Sequence, residues 1–528
     1  MSFEKKLTRR KKLFKTKSSH DQSRQRRSNL LYQLSNDKRQ EQLKKKRAIN
    51  DSQTEKKPTN DSKTTETNTS NNSQLYVPTM EELPELIKGI KSTNIKKVET
   101  SIRGIRAMIS VEDNPPIDEI IKTGILEIIV EFLDNWDNEY IQFEAEWILT
   151  NTCSGTHEQA QYCVALGIIP KFVSLLNSTN EEVLEQCIWG LGNIAGDCIE
   201  FRDKILQESD VIDKIINIFS LEICNLNIAK NAIWSLSNLI RCRPRPELSL
   251  IKNVIPIFAN YIGSGIPQLV QDSCWGLSYI SDGTSENINA VLKYNVVERL
   301  VGFLESDELK ILVPSLRTIG NIVTGDKEQT QIPLNFKLLE KLSPLLRHKR
   351  NQIRQEACWT ISNITAGDPQ QIQKVIDKGI IPQIIDILEN DIKILQIEAV
   401  WIISNVCYGG TTKQIKYIIK QGAIKYFVEL LKDNLPGVIL ICLQALDKIL
   451  KIGENDSESN QYSQNLYVKE VEEYSGDENI SRLLNHRFSQ IDLLATSLYQ
   501  EYFYDSTSDS GLDSSDTENV PNNEEYDF

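Results

Sequence analysis

The sequence is poor in the residues and spacings that metal and disulfide sites require. Its four histidines are dispersed along 528 residues, which argues against a histidine-based metal site. Its ten cysteines have no paired spacing and do not resemble a disulfide framework. Cys187, Cys274 and Cys358 lie within apolar helical runs, one or two residues before a tryptophan. We therefore expect reduced, buried thiols, as in a cytosolic or nuclear protein, and no cofactor or metal.

Long apolar runs and enzyme motifs are also missing. No uninterrupted stretch approaches the ~20 residues of a membrane span, and the first residues are charged rather than apolar, so we expect neither membrane insertion nor a secretory signal. There is no phosphate-binding loop, nucleophile elbow or Cys/His metal set. The glycines Gly190, Gly192 and Gly196 have the wrong spacing for a dinucleotide loop and lie within a helical pattern. The sequence therefore predicts a protein that is not an enzyme.

Charge is distributed unevenly along the chain. Residues 1–50 contain 17 Lys and Arg against 4 Asp and Glu, a net charge of +13 in a chain whose total is −13. The rest of the chain is correspondingly acidic, and residues 505–528 hold eight acidic residues with no Lys or Arg. A basic arm and an acidic body should attract each other electrostatically.

A segment of about 42 residues repeats along the body of the chain. Copies such as EQCIWGLGNIAGD and RQEACWTISNITAG align without gaps around one anchor residue. The anchors are Trp147, Trp189, Trp234, Trp275, Arg317, Trp359 and Trp401, at steps of 42, 45, 41, 42, 42 and 42. A period near 42 with two or three helices per unit is typical of armadillo or HEAT solenoids.

These patterns predict an all-α fold: a right-handed superhelical armadillo solenoid of about ten repeats, flanked by a disordered basic arm and a disordered acidic tail. The predicted parts are an arm at 1–53, a flexible linker at 54–76, repeats at 77–451, a weaker last repeat and cap at 452–503, and the tail at 504–528. Within the repeats, a glycine followed by apolar residues marks a helix start at Gly124, Gly167, Gly379 and Gly422. Pro170 and Pro382 are expected at the first helical position.

A polar residue follows each anchor by four positions. It is asparagine in six repeats, at Asn151, Asn193, Asn238, Asn321, Asn363 and Asn405, and Tyr279 in the seventh. Residues four apart share one helix face, so tryptophan and asparagine should form a ladder along one side of the solenoid. In the structural interpretation, tryptophan packs between repeats and asparagine bonds a neighbouring backbone. In the functional one, the ladder lines a binding groove, because other residues, such as Ile148, Leu191 and Leu236, already supply the core.

The chemistry of such a groove predicts its ligand. Spaced carboxamides can donate to and accept from the backbone of an extended peptide. Parallel indoles form slots for the stems of lysine and arginine, whose cationic heads gain ~0.5–2 kcal/mol from the rings. Acidic residues near the ladder, namely Asp197, Asp272, Glu356 and Glu398, would receive the ammonium groups. Tyr279 and Arg317 interrupt the ladder, which predicts two sites of unequal size for Lys/Arg-rich peptides.

From about Arg10 to Phe503, including the arginine at an anchor position and the tyrosine at an asparagine position, the chain resembles the importin α (karyopherin α) family of nuclear import adaptors. The resemblance implies a major binding site for basic nuclear localisation signals at Trp147, Asn151, Ser154, Gly155, Thr156, Gln186, Trp189, Asn193, Asp197, Trp234, Asn238 and Asp272. It implies a minor site at Arg317, Asn321, Val323, Thr324, Glu356, Trp359, Asn363, Glu398, Trp401 and Asn405. Gln355 departs from the family, which often has lysine there.

The basic arm resembles the family's importin-β-binding domain. The residues that this resemblance assigns to importin β are Arg10, Lys11, Leu13, Phe14, Arg24, Arg26, Arg27, Lys38 and Arg39. Lys45, Lys46 and Arg47 match the family's autoinhibitory cluster, which competes with cargo for the groove. Nucleic-acid binding is the alternative for such clusters, but nothing else in the chain is basic, so we expect no nucleic-acid partner.

Residues 471–486 resemble the family's last repeat, which contacts the export receptor; a repeat that only caps the solenoid explains them equally well. The implied partners are cargo proteins with basic localisation signals, importin β, the export receptor and nucleoporins, in a protein that shuttles between cytoplasm and nucleus. An armadillo scaffold of the β-catenin type, serving signalling or adhesion, is the alternative function. Such scaffolds usually line the groove with Lys and Arg, whereas this ladder has acidic surroundings.

Overall fold

The computed structural model describes residues 76–111, 113–134, 137–460 and 464–504. Within these ranges the regular structure is helical and contains no β-strand, as the all-α prediction requires. The predicted arm, nearly all of the linker and nearly all of the tail lie outside the described residues. The described helices form two compact units, with the change from one to the other after Gly283.

The N-terminal unit contains fourteen labelled helices in chain order. They are α1 (Leu83–Ile90), α2 (Ile95–Ile109), α3 (Ile117–Lys122), α4 (Ile125–Glu131), α5 (Glu139–Thr152), α6 (His157–Ala165), α7 (Ile168–Leu175), α8 (Glu181–Asp197), α9 (Ile199–Gln207), α10 (Val211–Ile218), α11 (Leu226–Ile240), α12 (Leu248–Ile251), α13 (Ile255–Tyr261) and α14 (Pro267–Ser281). Short 3₁₀ turns follow α4 and α12, at Phe132–Asp134 and Lys252–Val254.

The C-terminal unit continues the same succession. Its helices are α15 (Ser285–Leu292), α16 (Val297–Gly302), α17 (Leu309–Ile322), α18 (Lys327–Asn335), α19 (Leu338–Leu345), α20 (Asn351–Thr365), α21 (Pro369–Asp377), α22 (Ile380–Asn390), α23 (Lys393–Gly409), α24 (Thr412–Lys420), α25 (Ala423–Leu430), α26 (Pro436–Asn460), α27 (Leu466–Glu473), α28 (Gly476–Ser481) and α29 (Ser489–Tyr502). A 3₁₀ turn at Phe303–Glu305 follows α16.

The repeating unit is two shorter helices followed by a longer one, and its boundaries have clear local causes. Asn138, Asn180 and Asn225 cap the long helices α5, α8 and α11, because each side-chain oxygen accepts bonds from free backbone N–H groups of the first turn. Gly124 and Gly167, with φ of 70° and 79°, adopt the left-handed conformation directly before α4 and α7. Gly379 and Gly422 do the same before α22 and α25, so all four predicted glycine markers are confirmed.

The predicted position of the two prolines was wrong by two residues. α7 begins at Ile168 and α22 at Ile380, so Pro170 and Pro382 are the third residues of their helices rather than the first. The fold tolerates them there because the first four N–H groups of a helix have no intrahelical acceptor. A proline in that turn therefore removes no hydrogen bond of the helix.

In each unit the long helices pack side by side. In the N-terminal unit α5 contacts α2 and α8, and α8 and α14 both contact α11. In the C-terminal unit α20 contacts α17 and α23, and α23 contacts α26. The predicted core residues Ile148, Leu191 and Leu236 are completely buried between the helices. All ten cysteines are free thiols, and Cys187, Cys274 and Cys358 are buried as predicted.

The C-terminal end of the repeats differs in detail from the prediction. Helix α26 runs to Asn460, so the bound that we placed between 451 and 452 falls inside a helix. The three helices α27 to α29 that follow form the predicted weaker last unit, and they begin at Leu466. Among the described residues, no helix is both long enough and apolar enough to cross a membrane.

Candidate peptide-binding site

All seven anchor positions lie in the long third helix of a repeat. Trp147, Trp189, Trp234 and Trp275 lie on α5, α8, α11 and α14 of the N-terminal unit. Arg317, Trp359 and Trp401 lie on α17, α20 and α23 of the C-terminal unit. Because these helices are neighbours within each unit, each unit carries its own part of the predicted ladder.

A small residue immediately before the asparagine makes room for the tryptophan of the next repeat. A Cβ atom added at Gly192 would lie 2.3 Å from Cζ3 of the Trp234 indole, and one at Gly320 would lie 2.4 Å from Cζ3 of Trp359. The indole therefore packs directly on the backbone of the preceding long helix. The corresponding residues elsewhere are Thr150, Ser237, Ser278, Ser362 and Ser404.

The asparagine side chains tie successive repeats together. The Asn193 carboxamide donates to the carbonyl oxygen of Thr150 at 3.3 Å, and Asn238 donates to that of Gly192 at 3.0 Å. Asn405 donates to the carbonyl oxygen of Ser362 at 2.9 Å. The acceptor is in each case the residue immediately before the asparagine of the preceding repeat, and at Gly192 it is also the residue on which the Trp234 indole packs. One donor of the carboxamide is thus committed to the fold, as in the structural interpretation, and this fixes the orientation of the whole group.

Asn151, Asn363 and the surroundings of Trp147 depart from this pattern. Asn151 donates to the Ser110 hydroxyl at 3.1 Å, and Asn363 donates to the carbonyl of Trp359 in its own helix at 3.0 Å. Trp147 is 1 % exposed, and the Arg106 guanidinium lies 4.2 Å from the centre of its ring. Arg106 in turn pairs with Glu144 at 2.7 Å. The slot beside Trp147 therefore already holds a cation of the protein itself.

The predicted acidic receptor Asp197 ends helix α8. Its Oδ2 atom lies 2.6 Å from Nδ1 of His157, which is the first residue of α6. The thiol of Cys198 lies in the same cluster, with all the donor atoms within 4.8 Å of one another. Two of these three groups, the His157 imidazole and the Asp197 carboxylate, are hydrogen-bonded to each other.

The loop before α6 is ordered by its own hydrogen bonds. Thr156 caps α6: its side chain accepts from the Gln159 amide, and the Gln159 side chain accepts from the Thr156 amide at 2.9 Å. A Cβ at Gly155 would lie 1.9 Å from Oε1 of Gln159, so a side chain there would displace the Gln159 carboxamide from its cap. The Ser154 hydroxyl donates to the Asn151 carbonyl at 2.7 Å. These three predicted site residues therefore hold the loop that carries His157 beside Asp197.

The remaining predicted residues of the major site are buried. Gln186 lies on α8, and its carbonyl oxygen accepts from the Thr150 hydroxyl at 3.3 Å. Asp272 lies on α14 and accepts from the side chain of its neighbour Gln271 at 3.3 Å. Gln186 shares helix α8 with Trp189, and Asp272 shares helix α14 with Trp275.

Two cations that the sequence analysis missed lie near Tyr279, where the ladder is interrupted. The Arg245 guanidinium lies 5.1 Å from the centre of the Tyr279 ring, and Arg245 and Arg243 both pair with Asp282, at 3.0 and 2.7 Å. The loop that carries them is held by Arg202, which is completely buried and donates to the carbonyl oxygens of Arg241 and Pro244 at 2.8 and 2.9 Å. The end of the N-terminal ladder is therefore marked by positive charge as well as by tyrosine.

The predicted minor site contains an ion pair that includes Arg317. Arg317 donates to Glu356 at 2.8 Å, and its guanidinium lies 5.6 Å from the centre of the Trp359 ring. Glu398, on α23, accepts from the side chain of Gln355 at 3.2 Å. The family departure at Gln355 thus places a neutral amide, rather than a cation, beside Glu398.

The other predicted residues of the minor site lie around these groups. Val323 is completely buried and lies beneath the surface of the predicted site. Thr324 donates to the carbonyl oxygen of Asn321 at 2.6 Å. Trp401 and Asn405 lie one turn apart on α23.

Comparison with protein families identifies both parts of the chain. The importin beta binding domain family matches residues 10–102, a range that includes α1 and the first half of α2 and extends well past our predicted arm bound at 53. The armadillo/beta-catenin-like repeat family matches residues 156–196, 284–324, 326–366 and 368–408.

Whole proteins show the same similarity. The chain is 36 % identical to importin subunit alpha-3 of Arabidopsis thaliana over 506 residues, covering 96 % of this chain and 93 % of the relative. It is 41 % identical to importin subunit alpha-B of Dictyostelium discoideum over 502 residues, covering 95 % and 94 %. An engineered protein solved by crystallography shares the fold, with a TM-score of 0.69 and 23 % identity over 80 % of this chain and 99 % of its own.

Stacked armadillo repeats behind an importin-β-binding segment define an adaptor of nuclear transport, not an enzyme or a signalling scaffold of the β-catenin type. The chain belongs to the importin α family. It is accordingly a nuclear import adaptor that binds importin β and cargo proteins carrying nuclear localisation signals.

Proposed function

We propose that the adaptor binds basic localisation signals on the ladder, with the major site in the N-terminal unit and the minor site in the C-terminal unit. The observation that carries this proposal is the rigid repetition of tryptophan and asparagine along neighbouring helices, next to Asp197 in one unit and Glu356 and Glu398 in the other. Asn193, Asn238 and Asn405 are each oriented by a hydrogen bond to the preceding repeat, so we expect their carboxamides to meet a peptide backbone without reorganisation.

The two sites differ in the number of tryptophan–asparagine pairs. The major site has three, formed by Trp147, Trp189 and Trp234 with the asparagines one turn later. In the minor site Arg317 replaces a tryptophan and neutralises part of the charge of Glu356. A peptide with one basic cluster should therefore prefer the major site, and a peptide with two clusters should use both.

The arm should serve two purposes. Arg10, Lys11, Leu13, Phe14 and the basic residues at 24, 26, 27, 38 and 39 are proposed to contact importin β. Lys45, Lys46 and Arg47 are proposed to occupy the major site while importin β is absent. All of these residues lie outside the described ones, and the support is the charge of the arm, the family match over residues 10–102 and the acidic ladder.

The proposal also covers partners in transport, localisation and domain bounds. The last unit, α27 to α29, is the proposed contact for the export receptor, and nucleoporins are proposed as partners in transit. The adaptor should shuttle between cytoplasm and nucleus. We propose the arm at 1–53, the linker at 54–76, the groove-forming repeats at 77–451, the last repeat at 452–503 and the tail at 504–528. An adaptor that carries cargo inward must be returned, which is the reason for expecting an export contact.

The test is a binding titration of a rhodamine-labelled Lys/Arg-rich signal peptide against the full-length protein with saturating importin β. Trp189→Ala combined with Asn193→Ala should weaken binding by at least ~2 kcal/mol, about 30-fold, because an indole slot and backbone contacts are lost. Asp197→Asn, which keeps the shape of the side chain, should also weaken binding by removing the lysine receptor. Trp275→Ala is the matched control, since Trp275 pairs with Tyr279 and belongs to neither proposed site.

Equal affinity of the double variant, the Asp197 variant and the wild type would exclude this surface as the signal site. Far-UV circular dichroism separates binding from folding. If the double variant loses helix while Asp197→Asn binds normally, the ladder serves only to hold the repeats together.

A further inference from the structure

One contact in the N-terminal unit joins a titratable side chain to the acidic residue of the proposed major site. His157 Nδ1 lies 2.6 Å from Asp197 Oδ2. The imidazole is half exposed, whereas the carboxylate is largely buried, with side-chain exposures of 50 % and 16 %. An incoming ammonium group would therefore meet a carboxylate that already has a partner on its solvent side.

The imidazole is held in this position from two sides. Its ring stacks on Phe201, with centroids 5.3 Å apart and planes inclined by 14°. Phe201 belongs to α9 and is 2 % exposed, so it provides a fixed platform. The backbone of His157 is fixed as well, because Thr156 and Gln159 form a capping box at the start of α6. The contact with Asp197 is thus built into the packing of three helices.

Charged groups around His157 favour its protonated form. The hydrogen bond to Asp197 raises the pKa of His157 most, followed by the charge of Asp197, while Glu158 and Glu200 add smaller effects in the same direction and the slight desolvation opposes them. Three other polar or charged side chains on the neighbouring elements already have partners or are neutral. Lys204 of α9 pairs with Glu200 at 2.9 Å, Asp118 of α3 accepts from Gln159 at 2.7 Å, and the neutral thiol of Cys198 lies beside Asp197. The N-terminus of α6 disfavours the cation but does not reverse the balance.

We propose that His157 is a proton-dependent competitor for Asp197 that sets the affinity of the lysine subsite in the major site. When the imidazole is neutral, the ammonium group of a cargo lysine can displace it from the carboxylate, and only one hydrogen bond is lost. An imidazolium holds the carboxylate by charge as well, and it repels the approaching ammonium. This inference rests on the proposed function, since it assigns the lysine to Asp197.

The direction in which peptide affinity changes with pH follows from the linkage between protonation of His157 and peptide binding. Because the peptide binds the form in which Asp197 is released, binding expels the proton of His157, and affinity must fall as the pH falls. The ordinary pKa of histidine is about 6.5, and the hydrogen bond to Asp197 raises that of His157, so the affinity should begin to fall at a pH above about 6.5. Because the pKa lies above about 6.5, complete competition corresponds to a weakening of at least about fourfold between pH 8 and pH 6.

The experiment is a titration of the full-length protein, saturated with importin β, with a histidine-free Lys/Arg-rich peptide at pH 6, 7 and 8. Rhodamine is the label, because its signal does not change in this range. The test variant is His157→Asn, whose amide can occupy the place of Nδ1 and bond Asp197 without titrating. His348→Asn is the matched control, since His348 belongs to the C-terminal unit and lies in neither site.

The wild type and the His348 control should weaken at least about fourfold from pH 8 to pH 6, while His157→Asn should change less than about twofold. Calorimetry in buffers of different ionisation enthalpy should show proton release on binding near pH 7 in the wild type and not in His157→Asn. Parallel pH profiles for the wild type and His157→Asn, or no proton release by the wild type, would overturn the inference. If Asp197→Asn binds as tightly as the wild type at pH 8, the proposed function itself fails.

Discussion

Two buried glutamates on α5, Glu144 and Glu146, differ in whether their carboxylates have a hydrogen-bond partner. Glu144 pairs with Arg106 at 2.7 Å, and both side chains are almost completely buried. Glu146 is 0 % exposed, and neither of its carboxylate oxygens has a hydrogen-bond partner. Burial alone raises the pKa of Glu146 well above its usual value, so the group is a neutral acid over a wide pH range. Glu144 thus has a cationic partner across the junction of α2 and α5, whereas Glu146 has no partner in the core.

Replacing Glu146 with methionine should therefore stabilise the protein. Methionine fills a similar volume without a polar group to satisfy, and we expect a gain of about 1–3 kcal/mol at neutral pH. The gain should grow as the pH rises above about 4.3, where the unfolded carboxyl ionises, and level off only above the raised pKa of the folded state. Thermal unfolding at pH 5 and pH 8 measures it.

Glu144→Met is the matched control for that substitution, since it lies on the same helix and is equally buried. It should lower the stability at both pH values, because it removes the carboxylate that pairs with the buried Arg106. A lower melting temperature for Glu146→Met than for the wild type at pH 8 would show that Glu146 has a stabilising role.

At the scale of the helices, the period of 42 residues predicted the positions of the elements well. The period can be seen in the local sequence and does not depend on contacts between distant residues. It placed every anchor on a third helix and every glycine marker before a helix start. It could not predict how the ladder is fixed, since Asn193 bonds the carbonyl of Thr150, a residue of the preceding repeat. His157 was dismissed as one of four scattered histidines for the same reason: only folding brings it to Asp197.

The close packing of α8 and α11 gives a prediction at this scale. Gly192→Ala would place Cβ 2.3 Å from the Trp234 ring, so the indole must move away from α8. We expect a loss of about 1–3 kcal/mol in stability and several-fold weaker binding of a basic peptide, because Trp234 is one wall of the proposed major site. Chemical denaturation and a peptide titration measure the two effects.

Gly302→Ala is the control for Gly192→Ala. Gly302 ends α16, and a Cβ there would meet no atom within 4 Å. Alanine should leave peptide binding unchanged and raise the stability slightly, by up to about 1 kcal/mol. If both alanine variants behave alike, the contact between Gly192 and Trp234 does not position the indole.

On the scale of the whole molecule, the sequence predicted the class of protein from two features that lie far apart in the chain. The basic arm and the acidic ladder are complementary, and the arm is itself a Lys/Arg-rich peptide tethered to the surface proposed to bind such peptides. The family matches cover the arm, within residues 10–102, and the repeats that carry the ladder. What the sequence could not provide is the set of internal cations, Arg106, Arg245 and Arg317, that already contact rings of the ladder.

Regulation by the arm gives the last prediction. At an effective concentration of about 1 mM, an internal segment with an affinity of about 10 μM raises the apparent dissociation constant of cargo about a hundredfold. Deletion of residues 1–50 should remove this competition, and Lys45, Lys46 and Arg47 replaced together by alanine should reproduce most of the effect. Arg24, Arg26 and Arg27 replaced by alanine, which changes the charge equally, should have a much smaller effect. Salt weakens both contacts, so the difference between deleted and intact chains should narrow as ionic strength rises. Equal peptide affinities for the intact and deleted chains at low salt would leave the arm with partner binding as its single role.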